Sequence, residues 1–119
     1  MNVVKFLHVE RRDGTLVVSL LKNVGCFSDD DFQDEWRRLL ELVGDVAVRR
    51  VVVDFTRVAY FGSLVLELTL DLSRRLRDRD GRVVLCGLSA YGEEVVRTAR
   101  FDRLCQLAPS LAEALGQRS

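Results

Sequence analysis

Two β-rich stretches, Val3–Glu10 and Thr15–Lys22, flank the pair Asp13-Gly14. An Asp-Gly pair in that setting predicts a tight hairpin, because both residues tolerate the left-handed backbone that the favoured turns require. Asn23–Phe27 reads as a loop. Ser28 then stands as a helix cap before Asp29, Asp30 and Asp31, carboxylates that favour the positive end of a helix. Phe32, Trp36, Leu39, Leu40 and Val43 follow on one helical stripe, closed by Gly44. The continuous apolar run Arg50-Val51-Val52-Val53-Asp54-Phe55 has the pattern of a strand buried on both faces, as in parallel sheets. Leu64 to about Arg79 predicts a second helix, with Gly81 just past its last turn. Arg82–Gly87 repeats the buried-strand pattern. Tyr91–Arg100 predicts a third helix, with Tyr91, Val95 and Ala99 four apart, and Leu104–Leu107 a short edge strand. Ser110-Leu111-Ala112-Glu113 is an S-x-x-E capping box that opens a last helix through Leu115.

The order β-β-α-β-α-β-α-β-α places the chain in the α/β class: a mixed β-sheet with an N-terminal hairpin and a parallel centre, packed against about four helices. With 119 residues, no internal repeat and no linker, residues 1–119 are expected to form a single domain. A chain of this length buries about two-thirds of its unfolded surface and needs no metal or disulfide to fold. Apolar residues at 48% and charged residues at 30% exclude a disordered chain. The 18 basic and 18 acidic side chains cancel, which argues against a nucleic-acid binder or a polybasic membrane clamp. Cys26, Cys86 and Cys105 show no metal-ligand spacing and are odd in number, so a cytoplasmic protein is expected. The N-terminal residues lack the pattern of a signal peptide, and no run approaches the ~20 apolar residues of a membrane span.

Candidate chemistry gathers between the first buried strand and the second helix, at Asp54-Phe55-Thr56-Arg57-Val58-Ala59-Tyr60-Phe61-Gly62-Ser63. Ligands of open α/β sheets bind outside the carboxyl ends of the parallel strands. Ser63 falls at or beside the helix start. It is either an N-cap or a phosphorylatable serine whose phosphate a helix N-terminus would favour. At 100° per residue, Leu64, Val65, Leu68, Leu72 and Leu76 form the core arc, whereas Leu66 and Leu70 project outside it as a candidate docking patch beside Ser63. Enzyme readings fare poorly: His8 is the sole histidine, and G-x-S-x-G, GxxxxGK[ST] and strand-following GxGxxG motifs are missing. No cofactor is expected. Asp29-Asp30-Asp31 lacks EF-hand spacing. Asp54 invites comparison with a receiver-domain phospho-acceptor, but the acidic pair and late lysine are missing, which leaves it as a turn residue satisfying nearby backbone.

The stretch Val51-Val52-Val53-Asp54-Phe55-Thr56-Arg57-Val58-Ala59-Tyr60-Phe61-Gly62-Ser63 resembles the signature of STAS domains, the bacterial anti-sigma factor antagonists. The likeness continues through Arg74–Gly87, a helix end and a strand, through Val95–Leu104, a helix and then Phe-Asp-Arg-Leu, and through Ser110–Leu115, and so covers nearly the whole chain. It implies a non-enzymatic module that binds an anti-sigma factor which is also a serine kinase, a GHKL-type ATPase, with phosphorylation breaking the complex. Ser63 matches the family's phospho-acceptor. Gly62 stands where the family has Asp, Leu64 replaces the second Ser of its Asp-Ser-Ser-Gly motif, and Val65 replaces the Gly. Residues expected at the partner surface are Asp54, Tyr60, Gly62, Ser63, Leu66 and Leu70, on a monomer or weak dimer. A STAS domain of a transporter-associated or stress-signalling complex, bound to its partner without phosphorylation, is the alternative. A nucleotide or small-molecule sensor using the crevice near Asp54 and Ser63 is a third reading.

Overall fold

The computed structural model describes residues 6–21 and 30–116; the side chains of Asp30, Asp31 and Ser63 are outside that description. The loop expected over Asn23–Phe27, the Ser28 cap, Cys26 and the start of the first strand also lie outside the described residues. Strands β1 (Leu7–Arg12) and β2 (Thr15–Leu20) form an antiparallel hairpin, with Arg12 facing Thr15 across Asp13-Gly14. Asp13 takes the left-handed φ of 55° that the turn requires. Helix α1 (Asp30–Val43) leads to β3 (Arg50–Asp54), α2 (Ser63–Arg77) to β4 (Arg82–Cys86), and α3 (Ala90–Thr98) to β5 (Gln106–Ala108). A 3-10 turn (Phe101–Arg103) follows α3, and α4 (Leu111–Gly116) comes last.

The five strands lie in chain order, β1-β2-β3-β4-β5, and every pairing after the hairpin is parallel. Alternation along each strand divides the side chains between two faces. Val51, Val53, Val83 and Leu85 join a core with Phe32, Trp36, Leu39 and Val43 of α1, Val65, Leu72 and Leu76 of α2, and Val96 of α3. Val52, Val84 and Cys86 pack on the other face against Ala114 of α4, with Leu111 and Leu115 beside them. Burial on both faces accounts for the unbroken valine runs of β3 and β4.

Two local expectations are corrected. Helix α2 ends with Asp80, not Gly81, in the left-handed conformation, at φ 59°. The Asp80 N–H donates to Arg77 O (3.2 Å) and the Gly81 N–H to Leu76 O (2.7 Å), the paired bonds of a Schellman motif. Gly81 is needed for a close approach: a Cβ there would lie 2.6 Å from Arg49 O. Along α3, Gly92 and Val96 are buried and Val95 packs partly against the core, while Tyr91 and Ala99 are exposed. Strand β5 begins two residues later than expected, because the 3-10 turn at Phe101–Arg103 uses up chain first.

Both borders of the sheet are blunt. Strand β1 is charged along its exposed half, with Arg12 paired to Glu10 and Arg11 to Asp45 (2.8 Å), and its first amides donate to the Glu35 carboxylate of α1. Strand β5 is three residues long and is followed by Pro109.

Candidate functional site

The segment between β3 and α2 is held by its own polar groups. Asp54, at the carboxyl end of β3, accepts through Oδ1 from the Thr56 N–H (2.9 Å) and from the Thr56 hydroxyl. It is the turn residue that the sequence predicts, in an Asx-type turn. The Phe55 N–H donates to Cys86 O (2.8 Å) and the Val58 N–H to Phe55 O (2.9 Å), which folds the segment back over the sheet's edge. Phe55, Val58 and Phe61 are buried beneath it, while Thr56, Arg57, Ala59 and Tyr60 face outward. Gly87, one residue past β4, has φ 69° and passes so close that a Cβ would press on the Thr56 hydroxyl.

A second segment braces the first. Ser89 caps α3 by accepting from the Gly92 N–H (3.1 Å), and its hydroxyl donates to Ala59 O (2.9 Å). That bond brings the start of α3 beside the β3–α2 turn. The chain has 2 tyrosines, and they meet there: Tyr60 and Tyr91 stack with ring centroids 5.3 Å apart, 49% and 45% exposed. Two exposed stacked phenols form a preorganised aromatic platform of the kind that anchors protein interfaces. Phe61 lies under Tyr91, edge to face at 6.3 Å.

Helix α2 starts at Ser63, but its N-cap position belongs to Gly62, in extended backbone with no side-chain cap. The N-cap reading of Ser63 is thereby corrected by one residue. Leu66 and Leu70 are half-buried and pack partly against the core, rather than standing clear of it. The buried arc of α2 is rotated toward them because it includes Thr69 and Ser73, whose hydroxyls donate to Val65 O (2.7 Å) and Leu104 O (3.2 Å). The turn therefore brings Asp54, Tyr60, Gly62 and the backbone of Ser63 into one stretch at the sheet's carboxyl edge, with Leu66 and Leu70 set further along the helix.

Sequence reasoning missed Tyr91, Ser89 and Gly87. The pairing of two rare tyrosines was the available signal, but nothing local ties position 60 to position 91. Cys86 is buried, and its thiol is pushed up to about 12, first by burial and then by the nearby Asp54 charge, so it is no nucleophile. Among the described residues no group of three or more His, Cys, Asp or Glu could hold a metal ion.

Among the described residues, a sequential mixed sheet with three helices on one face, one on the other and a braced turn after β3 defines an α/β sheet domain. The chain belongs to the STAS domain family, whose model matches residues 7–114, and it is anti-sigma-factor-antagonist-like within that family. It is 30% identical over 104 residues to BtrV of Bordetella bronchiseptica, which is named as an anti-sigma factor antagonist; the match spans 87% of this chain and 86% of that protein. The Bacillus cell fate determinant SpoIIAA in its phosphorylated form superimposes with a TM-score of 0.74 at 19% identity, over 92% of this chain and 96% of that one. A STAS domain protein from Planctomyces limnophilus superimposes with a TM-score of 0.76 at 22% identity, over 92% and 94%.

Proposed function

We propose that this chain is a cytoplasmic regulatory module that binds an anti-sigma factor with serine-kinase activity through the β3–α2 turn, and that phosphorylation of Ser63 releases it. The observation that carries the reading is the position of Ser63 as the first residue of α2, at the carboxyl edge of the sheet and next in sequence to the Tyr60-bearing turn. A phosphate adds about −1.5 to −2 charges. The uncapped amides of a helix start favour that charge locally, so the helix persists and the effect falls on the docked partner. Gly62 adds no carboxylate beside it. Tyr60 supplies the aromatic anchor, Asp54 fixes the turn that presents it, and Leu66 and Leu70 extend the contact along α2. The molecule performs no reaction of its own. Among the described residues no helix is long and apolar enough to cross a membrane, which is consistent with the compartment proposed.

The test combines a GHKL-type anti-sigma kinase, ATP and the full chain, read by intact mass and by calorimetry. One phosphate on the wild type and none on Ser63→Ala is the expected result. Ser63→Asp and Tyr60→Ala should each weaken binding about tenfold or more. Unchanged affinity in both variants would move the interface elsewhere.

The departures at Gly62, Leu64 and Val65 favour a second reading, in which the same surface docks constitutively in a transporter-associated or stress-signalling complex. In that case Ser63 stays unmodified while Tyr60→Ala and Leu66→Glu still weaken binding.

A further inference from the structure

Among the described residues, the helix on the second sheet face is α4, which packs on β3, β4 and β5. On that face one side chain per strand falls in a single cross-strand row, with His8 facing Ser19 and Ser19 facing Asp54. With strands about 4.8 Å apart, the row spans about 10 Å. It forms one side of a half-open groove of about 660 Å³ that is also lined by Leu21, Thr56, Arg57 and Leu111. That volume is in the range of small-molecule sites, about 300–1,000 Å³.

The polar groups in the groove are unequal. Asp54 is engaged, its Oδ1 held by the Thr56 N–H and hydroxyl. The His8 imidazole, the Ser19 hydroxyl and the Arg57 guanidinium make no hydrogen bond or ion pair with any described residue. They come from β1, β2 and the turn after β3, and all three can donate. Arg57 contributes a fixed fork of N–H groups suited to a carboxylate or phosphate. Leu21 and Leu111 offer apolar surface beside these donors, so the groove is matched to a molecule with one charged end and one greasy end.

We propose that this groove binds a small amphipathic organic anion, its carboxylate or phosphate head held by Arg57 with His8 and Ser19 donating, and its apolar body against Leu21 and Leu111. The groove shares Asp54 and the β3–α2 turn with the proposed docking surface, but anion binding is read on the chain alone, so its failure and a failure of docking are distinguishable.

The full chain, labelled with nitrogen-15, is titrated with octanoate, with n-octyl phosphate and with octan-1-ol, following amide shifts and binding heats. Saturable shifts centred on His8, Ser19, Arg57 and Leu111 are expected with at least one anion, and whichever anion binds tighter identifies the head group. Octan-1-ol should bind about tenfold more weakly, and Arg57→Gln and His8→Ala should each cost the anion about tenfold. Both variants alter side chains that make no hydrogen bond or ion pair with any described residue, so a melting temperature equal to that of the wild type checks that they are folded. No saturable shift with either anion, or anion affinity unchanged in both variants, would overturn the proposal.

Discussion

Gly87 illustrates how much of the candidate site rests on a missing side chain. Its φ of 69° lies in the left-handed region that favours glycine, and a Cβ there would also lie 3.0 Å from the Asp54 Oδ1 that holds the turn. Gly87→Ala is expected to lower the free energy of unfolding by about 2 kcal/mol. Roughly 1 kcal/mol comes from the left-handed backbone, and the rest from displacing the Thr56 hydroxyl. Urea unfolding measures it, and a stability equal to the wild type would mean that the turn yields without cost. At this scale the sequence was readable where chemistry is local. Asp54 could be assigned to a turn because an Asp hydrogen-bonds backbone two residues ahead. Ser63 and Gly62 could not be separated, since both residue types are accepted at an N-cap and only the backbone says which one takes it.

Among the elements, α2 departs furthest from its apolar pattern. Counting leucines and valines alone sets the core arc too far from Leu66 and Leu70, because Thr69 and Ser73 are buried as well, at 1% and 2% exposure. Each is tolerated because its hydroxyl meets a carbonyl. Ser73→Val should therefore leave Leu104 O short of a donor and cost about 1 kcal/mol, despite the added apolar surface. Chemical denaturation gives the value, and a stabilised variant would show that this bond is dispensable. Helix α3 forms where expected, over Ala90–Thr98. Its buried positions are Val96 and Gly92, and the glycine is one that no hydrophobicity count registers; a Cβ there would lie 3.0 Å from Phe61. Strands β3 and β4 were readable to within a residue, because burial on both faces leaves an uninterrupted apolar run.

For the whole molecule, the order of elements was sufficient to give the class and the parallel centre, whereas the division of helices, three on one face and one on the other, needed the packing. The edge of the sheet opposite the candidate site is secured by Asp45. Its carboxylate accepts from the Ala47 N–H (2.9 Å) and from Arg11 of β1 (2.8 Å), while its carbonyl accepts from Arg79 beyond α2 (2.8 Å). The Ala47 amide first, and then Arg11, hold this carboxyl below its ordinary 3.8. A depressed carboxyl stabilises the fold above its unfolded pKa, and that contribution is lost as pH falls through the folded value. Asp45→Asn should thus melt below the wild type at pH 6, with the gap closing once the pH drops under about 3.8; a gap that persists in acid would assign the effect to shape rather than charge. The blunt borders bear on how copies of the chain can meet. A ladder needs a run of free amides and carbonyls along a flat outer strand. One flank is guarded by ion pairs and by Glu35, the other is brief and bounded by a ring that cannot donate, so the sheet resists lengthening sideways into a fibre, and encounters are steered toward its tips and helices.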